Sequence, residues 1–410
     1  MTTVNPYGKF IRNELEYVTE FLDSENPKNK EEPWVRRFEK AFAERFGVKY
    51  AIAHNSGTST LHSCLVAAGV DVGDEVIMPA QTVSMLAFVT LVQKASPVFA
   101  DIDPDTLNIS PADVERKITS KTKAIIAVHM HGLPADMDPI MELGRKYSIP
   151  VIEDSAQCML GVYKGRLAGT IGDMASFSFE TKKHVCTGEG GMVITDDEDY
   201  GTKVRKFGGL GYKTLSAGAS LRQILPTEFQ RPNYKRHDMV GLNYRMPEIC
   251  AALALAQFER VDFLVKRRQE VAKYFLDALE GCSWMIPQKV PEGHVHSYWT
   301  FTVKYEGHEA YGVPWVKFYQ LYKKNGGDGF YGGLSLIYQE LFMQEITFLN
   351  RHMSQRYPTY ENRFKYEKGL CPVAESVQPK MMQFKTNYRN LEIAKEKAKA
   401  LAKTIKEIEG

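Results

Sequence analysis

Between residues 50 and 195, short apolar runs alternate with segments of helical spacing, and no other feature constrains the fold as tightly. Runs over 50–53, 75–79, 97–102, 124–129 and 150–153 read as strands. Helices are predicted through Leu61, Leu65 and Gly69, and over 138–147. Strands that alternate with helices imply a mostly parallel sheet covered on both faces. The runs at 175–179 and 191–195 leave no room for a helix between them, so part of the sheet is expected to be antiparallel. The predicted class is α/β: a large, mostly parallel α/β/α sandwich domain followed by a smaller C-terminal α+β domain.

At 410 residues, the chain has room for two to three domains of about 150 residues each. The pattern suggests an N-terminal helix or arm over 1–24, a large domain over 25–250 and a small domain over 251–410. Pro33 opens an amphipathic helix with Trp34, Phe38, Phe42 and Phe46 on one stripe. Residues 246–279 read as one long, kinked helix, 300–305 as a strand, and 391–409 as a solvated surface helix. Lys+Arg of 52 against Asp+Glu of 50 leaves a net charge of +2, which offers no global field to nucleic acid or an anionic membrane. The best apolar stretch, 249–258, falls well short of the roughly 18 residues of a spanning helix. The first residues lack the basic and apolar regions of a signal peptide. Six scattered cysteines without a CxxC pair read as reduced thiols of a cytoplasmic protein, and no metal site is expected.

Three motifs carry chemistry. The run 150–157 ends a buried strand in Glu153 and Asp154, where ligands of open parallel sheets bind; an acid there can equally cap the next segment. The stretch 176–191 places Lys182 and Lys183 between a strand and a Gly-rich turn; taken alone, this also fits an exposed loop. Asn55-Ser56-Gly57-Thr58-Ser59-Thr60 joins a strand to a helix whose first N–H groups can hold a phosphate, or can simply form a helix cap. It is neither a Walker A loop nor a dinucleotide fingerprint. Together, a phosphate cradle, an acid at a strand end and a lysine after a later strand are what pyridoxal phosphate requires. The lysine condenses with the cofactor aldehyde and then moves protons, and the acid keeps the pyridine nitrogen protonated.

The order GTST…EDSAQ…SFSF…K…TGEGG…GLNYRM resembles the DegT/StrS-type sugar aminotransferases, which are fold type I pyridoxal-phosphate enzymes. The resemblance runs from about residue 10 to the C-terminus and is loosest after residue 285. It implies Lys183, five positions before Gly188, as the Schiff-base lysine, with Lys182 the alternative one register away. It implies Asp154 at the pyridine nitrogen, Gln157 near the cofactor hydroxyl, and Ser178 with Gly57, Thr58 and Ser59 at the phosphate. Asn243 would reach the phosphate of a partner subunit, which implies a homodimer with composite sites. Val83 stands where the family often has an aromatic residue stacked on the cofactor.

The resemblance further implies an amino group moved from L-glutamate or L-glutamine to a keto-sugar, with a nucleotide-linked one leading. A keto-cyclitol or a free or phosphorylated keto-sugar is the alternative acceptor. The rival functions are a sugar dehydratase, whose relatives carry histidine in place of the lysine, and a non-catalytic regulator that binds the cofactor. His184 and His296 fall where substrate could be met, and His129 reads equally as core or catalytic. The basic stretch 221–238, with Arg222, Arg231, Lys235, Arg236 and His237, reads either as a solvated loop or as a lid over a phosphorylated substrate. The loop over 325–331 resembles an insertion in one branch of the family.

Overall fold

The apolar runs pair into a seven-stranded sheet in the computed structural model, which describes residues 12–24, 32–218, 224–344 and 366–410. Its strands are β1 (Tyr50–His54), β2 (Glu75–Pro79), β3 (Ser96–Ala100), β4 (Thr122–Val128) and β5 (Val151–Asp154), then β8 (Met174–Ser178) and β9 (Gly191–Thr195). A short hairpin, β6 (Val162–Tyr163) and β7 (Arg166–Leu167), stands between β5 and β8. The sheet order is β1-β9-β8-β5-β4-β2-β3. The five strands from β8 to β3 run parallel, while β9 is antiparallel to both of its neighbours. The expected antiparallel patch is therefore the β8–β9–β1 edge.

Side chains alternate across each strand, so one run feeds two cores. Ile125 and Ala127 of β4 join a cluster with Ile77, Val98 and Val151 on one face. Ala124, Ile126 and Val128 join Val76, Met78, Phe99 and Met174 on the other. A third cluster is aromatic. The helix Trp34–Phe46 buries Trp34, Phe38, Phe42 and Phe46, spaced four apart, against Phe177, Phe179 and Phe258. Phe42 stacks on Phe46 at 4.6 Å and on Phe258 at 4.7 Å, and meets Phe177 edge-on at 5.1 Å.

Beyond residue 245 the structure departs from expectation in two ways. The single long helix is two, Glu248–Phe258 and Val261–Ala278, separated where Arg260 leaves helical geometry (φ −113°, ψ 22°). The division at residue 250 also does not follow the packing. Ala251, Leu255, Phe258 and Val265 belong to the aromatic cluster of the large domain. The separate C-terminal core instead gathers Val271, Phe275, Phe301, Phe318, Tyr322, Phe384 and Leu401. It carries the sheet β10 (Met285–Pro287), β12 (Thr300–Tyr305), β14 (Met381–Lys385) and β13 (Tyr331–Gly332), in that order. A last strand, β11 (His294–Val295), pairs with β6.

The chain then returns to the large domain. Ile337 N–H donates to Ala80 O at 2.9 Å, and the Asp101 carboxylate accepts from the N–H groups of Val373 and Ala374 at 2.9 and 2.8 Å. Leu336, Ile337, Tyr338, Ala374 and Val377 fill the core over β2 and β3.

Phe42, fully buried with aromatic partners on several sides, makes the aromatic cluster testable. Phe42→Ala is expected to destabilise the protein by about 3–5 kcal/mol, read as a lowered midpoint in urea unfolding.

Candidate active site

Strand alternation separates the two acids at the end of β5. Glu153 points into the protein. It accepts from the N–H groups of Gly169, Ile171 and Gly172 at 2.8, 2.7 and 2.6 Å, and from His129 Nε2 at 2.8 Å. His129 Nδ1 accepts from Ala135 N–H at 3.0 Å, so the ring proton sits on Nε2 and His129 is a donor in a closed network. Burial works to raise the Glu153 carboxyl, but the donors outweigh it and hold it below the usual carboxylate range. Asp154 lies on the opposite face. Burial raises its pKa, opposed by the Ala156 N–H at 3.0 Å and by the charge of Lys183.

The same alternation organises β8. Phe177 and Phe179 enter the aromatic core, while Ser176 and Ser178 face the helix Gly57–Ala67. Ser176 Oγ meets Thr60 Oγ1 at 2.6 Å. A Cβ at position 57 would stand 2.7 Å from Ser178 Cβ, so only glycine lets the helix start approach Ser178 this closely. Ser178 Oγ accepts from Glu180 N–H at 3.3 Å, which leaves its own proton free to donate. Thr58 is exposed beside it in the first turn. Ser59 corrects the expectation made for it. Its N–H goes to Ser56 Oγ at 3.1 Å, and its hydroxyl is held by the Ser56 and Asn55 oxygens and by Ser56 N–H. It closes a capping box and is not a free phosphate donor.

The loop between β8 and β9 sends its two lysines in different directions. Lys182 is exposed, with Nζ 5.3 Å from the Tyr331 ring. Lys183 Nζ stands 4.3 Å from the Trp299 ring centre. Burial lowers the Lys183 ammonium to about 8, opposed by the charges of Asp154 and Glu180 and reinforced by those of Arg268 and Lys182. Gln157 is buried, and its Oε1 accepts from His131 N–H at 2.8 Å, so its amide hydrogens remain free to donate. Val83 is partly buried against the core over β2 and β3.

Two histidines are engaged by the protein. His296 Nδ1 accepts from Tyr298 N–H at 2.8 Å, its Nε2 bonds Gln288 Oε1 at 3.1 Å, and its ring stacks on Tyr298 at 3.8 Å. His184 is buried and donates from Nε2 to Ser297 O at 2.9 Å. Burial holds both rings neutral, well below the usual histidine range. Asn243 is exposed, its Oδ1 accepting from Arg245 Nε at 3.0 Å. In the basic stretch, Arg231 pairs with Glu228, Arg236 donates to Phe229 O and His237 bonds Leu210 O, as suits a loop that holds itself. Arg222 lies outside the described residues.

The family model described as the DegT/DnrJ/EryC1/StrS aminotransferase family matches residues 9–314. The chain belongs to this family. Similar curated proteins include the GDP-perosamine synthase of Escherichia coli O157:H7, 39% identical over 292 residues (71% of this chain, 74% of that one). The GDP-perosamine synthase of Caulobacter vibrioides is 39% identical over 304 residues, with the same shares covered. Among solved structures, the aminotransferase from Psychrobacter cryohalolentis superposes with a TM-score of 0.82 at 28% identity, covering 100% of both chains. As a member of the DegT family, the protein is a pyridoxal-phosphate-dependent sugar aminotransferase.

The residues present fit that cofactor. The cradle is kept clear at Gly57, Ser178 has a free proton, Asp154 is a buried carboxylate, and Gln157 offers free amide hydrogens. Sequence reasoning missed three neighbours. His131 holds Gln157 from a left-handed backbone (φ 61°), and its buried Nε2 has no protein partner. The positive φ has no sequence signature, because His131 is not a glycine. Trp299 and Arg268 sit in the region where the motifs run out.

A lowered lysine is uncharged, and so reactive, at a lower pH than its neighbours. In the cofactor-free chain, Lys183 is expected to reach half-maximal modification by acetic anhydride near pH 8, resolved by peptide mass spectrometry. Surface lysines follow near about 10.4.

Proposed function

We propose that the protein transfers an amino group from L-glutamate or L-glutamine to a nucleotide-linked keto-sugar, as a homodimer in which Asn243 completes the partner's site. The arrangement that carries this reading is the Lys183 amine 4.3 Å from the Trp299 ring and within the field of Asp154, together with the close approach of Gly57 to Ser178. The nucleotide-linked acceptor is supported by the two relatives named for GDP-perosamine. The dimer is supported by the apolar surface around Asn243, where Val240 is 87% exposed and Leu242 and Ile249 are 41% exposed. Six free thiols, four of them buried, support a reducing cytoplasm.

When bound, pyridoxal phosphate supplies an aldehyde that takes up amino nitrogen and a ring that takes up electrons. In this reading, the first N–H groups of the helix Gly57–Ala67 and the Ser178 hydroxyl bind its phosphate. Asp154 holds a proton on the ring nitrogen, and Gln157 donates to the ring oxygen from an amide whose orientation His131 N–H sets. Lys183 Nζ would hold the cofactor aldehyde, and as a free amine it would take the proton from the donor's α-carbon and return it one carbon away. An amine that titrates near 8 can do both close to neutral pH. The Trp299 ring shields Nζ from water on one side. His184 gives no support to the dehydratase alternative, because its ring is turned to Ser297 O.

The test is the absorption spectrum of the purified protein with pyridoxal phosphate. A visible band that bleaches with L-glutamate or L-glutamine is expected, and it identifies the donor. Lys183→Ala should remove the band while leaving circular dichroism unchanged, and Lys182→Ala should keep it. Loss of the band in Lys182→Ala alone would overturn the assignment.

A further inference from the structure

Arg268, on the helix Val261–Ala278, is buried, and among the described residues its guanidinium forms no ion pair. Its partners are three backbone oxygens and, at 3.5 Å from Nη1, the Thr386 hydroxyl. Nη2 donates to Lys182 O at 2.8 Å and to Lys183 O at 2.9 Å, and Nη1 donates to Trp299 O at 2.8 Å. Trp299 closes the circuit: its Nε1 donates to Lys182 O at 3.2 Å, and its ring faces Lys183 Nζ. Behind the loop lies a cavity of about 240 Å³, lined by Lys183, His184, Gln257, Arg268 and Thr386 among others. Val185 anchors the later part of the loop in the aromatic core, while the carbonyls of Lys182 and Lys183 beside the cavity are held by these donors. A buried guanidinium without a carboxylate is costly, and burial lowers its pKa to about 10. A planar fork that reaches three carbonyls is what arginine offers and lysine does not.

We propose that Arg268 is the positioning residue of the lysine loop: its guanidinium fixes the carbonyls of Lys182, Lys183 and Trp299 in one geometry, and so fixes where the Lys183 amine stands against the Trp299 ring. The proposal rests on the reading of Lys183 as the residue that carries the cofactor. Arg268 also acts on that amine through charge. The charged groups that face Lys183 are Asp154 from β5, Glu180 and Lys182 from its own loop, and Arg268 from the helix. Of these, Arg268 and Lys182 disfavour the ammonium, and only Arg268 is buried.

The experiment uses the full chain and two variants, Arg268→Met and Arg268→Lys, each checked for folding by circular dichroism. In the cofactor-free protein, the pH of half-maximal Lys183 acetylation is expected to rise by about one unit in Arg268→Met, because a nearby positive charge is lost. It should stay near the wild-type value in Arg268→Lys. In the loaded protein, the limiting rate of bleaching at saturating donor, the kcat of this half-reaction, should fall roughly 10²-fold in Arg268→Met through misplacement, with the half-saturating donor concentration, its KM, changed by less than about threefold. Arg268→Lys should recover only part of kcat, about tenfold below wild type, since an ammonium cannot span the fork.

A folded Arg268→Met with wild-type kcat and a wild-type acetylation midpoint would overturn the proposal. If Arg268→Met does not fold, Arg268→Lys decides: wild-type kcat refutes the need for the fork, and a loss of about tenfold supports it. Borohydride reduction of the loaded wild type, followed by peptide mapping, separates the two readings. Cofactor fixed on another residue would remove Lys183 from its role, while the acetylation midpoint would still report what Arg268 does.

Discussion

The site depends on a carboxylate that takes no part in the chemistry. Glu153 gathers three backbone N–H groups from the 169–172 loop and the Nε2 proton of His129. A fully buried acceptor with this many donors stays ionised against a large desolvation cost, and removing it would strand every donor at once. Its effect is geometric. It locks the end of β5 and the 169–172 loop, so that the next residue on the strand, Asp154, faces the other side at a fixed place. The acid that needs complete protein partners and the acid that must keep a free oxygen are neighbours in sequence, and the pleat alone keeps them apart.

The lysine opposite Asp154 is set by a contest of similar form. Desolvation favours the neutral amine, and the two carboxylates favour the ammonium. Had Asp154 won outright, Lys183 would be an ordinary ion-paired lysine with no reactive fraction near neutrality. Had desolvation acted alone, Asp154 would face no cation and its own pKa would rise further. The positive charge of Arg268 shifts the balance toward the amine. In the proposed reading, a protonated ring nitrogen would give Asp154 a new counter-charge when the cofactor binds, releasing the carboxylate from the free lysine.

Most of this was legible in the sequence because it rests on period-two alternation. Ser-Phe-Ser-Phe at 176–179 states in four letters that one face of β8 is aromatic core and the other polar cradle. The strand runs were legible for the same reason. Four features were not. The break at Arg260 has no proline or glycine to mark it. Ser59 and His296 have residue types that suit ligand binding, yet the backbone donors and acceptors that occupy them are set by local geometry. Arg268 falls within a helix as an unremarked basic position, and its partners lie some 30 and 85 residues away in the chain. The return of residues 336–338 and 373–377 to the large domain follows from tertiary contacts that no short pattern encodes.

That return has a consequence for the site. The C-terminal core holds Trp299 at the start of β12, while Lys183 belongs to the large domain, so the geometry at the amine depends on how the two bodies are joined. Several contacts tie them, among them the β11–β6 pairing, and two of these lie far apart. Near the site, Arg268 binds backbone oxygens from both sides, and the helix that carries it starts in the aromatic core of the large domain. At the opposite edge of the sheet, Asp101 holds the N–H groups of Val373 and Ala374, just before β14 enters the small sheet. One attachment would leave a hinge, whereas two on separate elements restrict rotation of one body against the other. In the proposed reading Lys183 returns to the same carbon after every half-reaction, and a loop fixed between two such attachments would do so without reorganising.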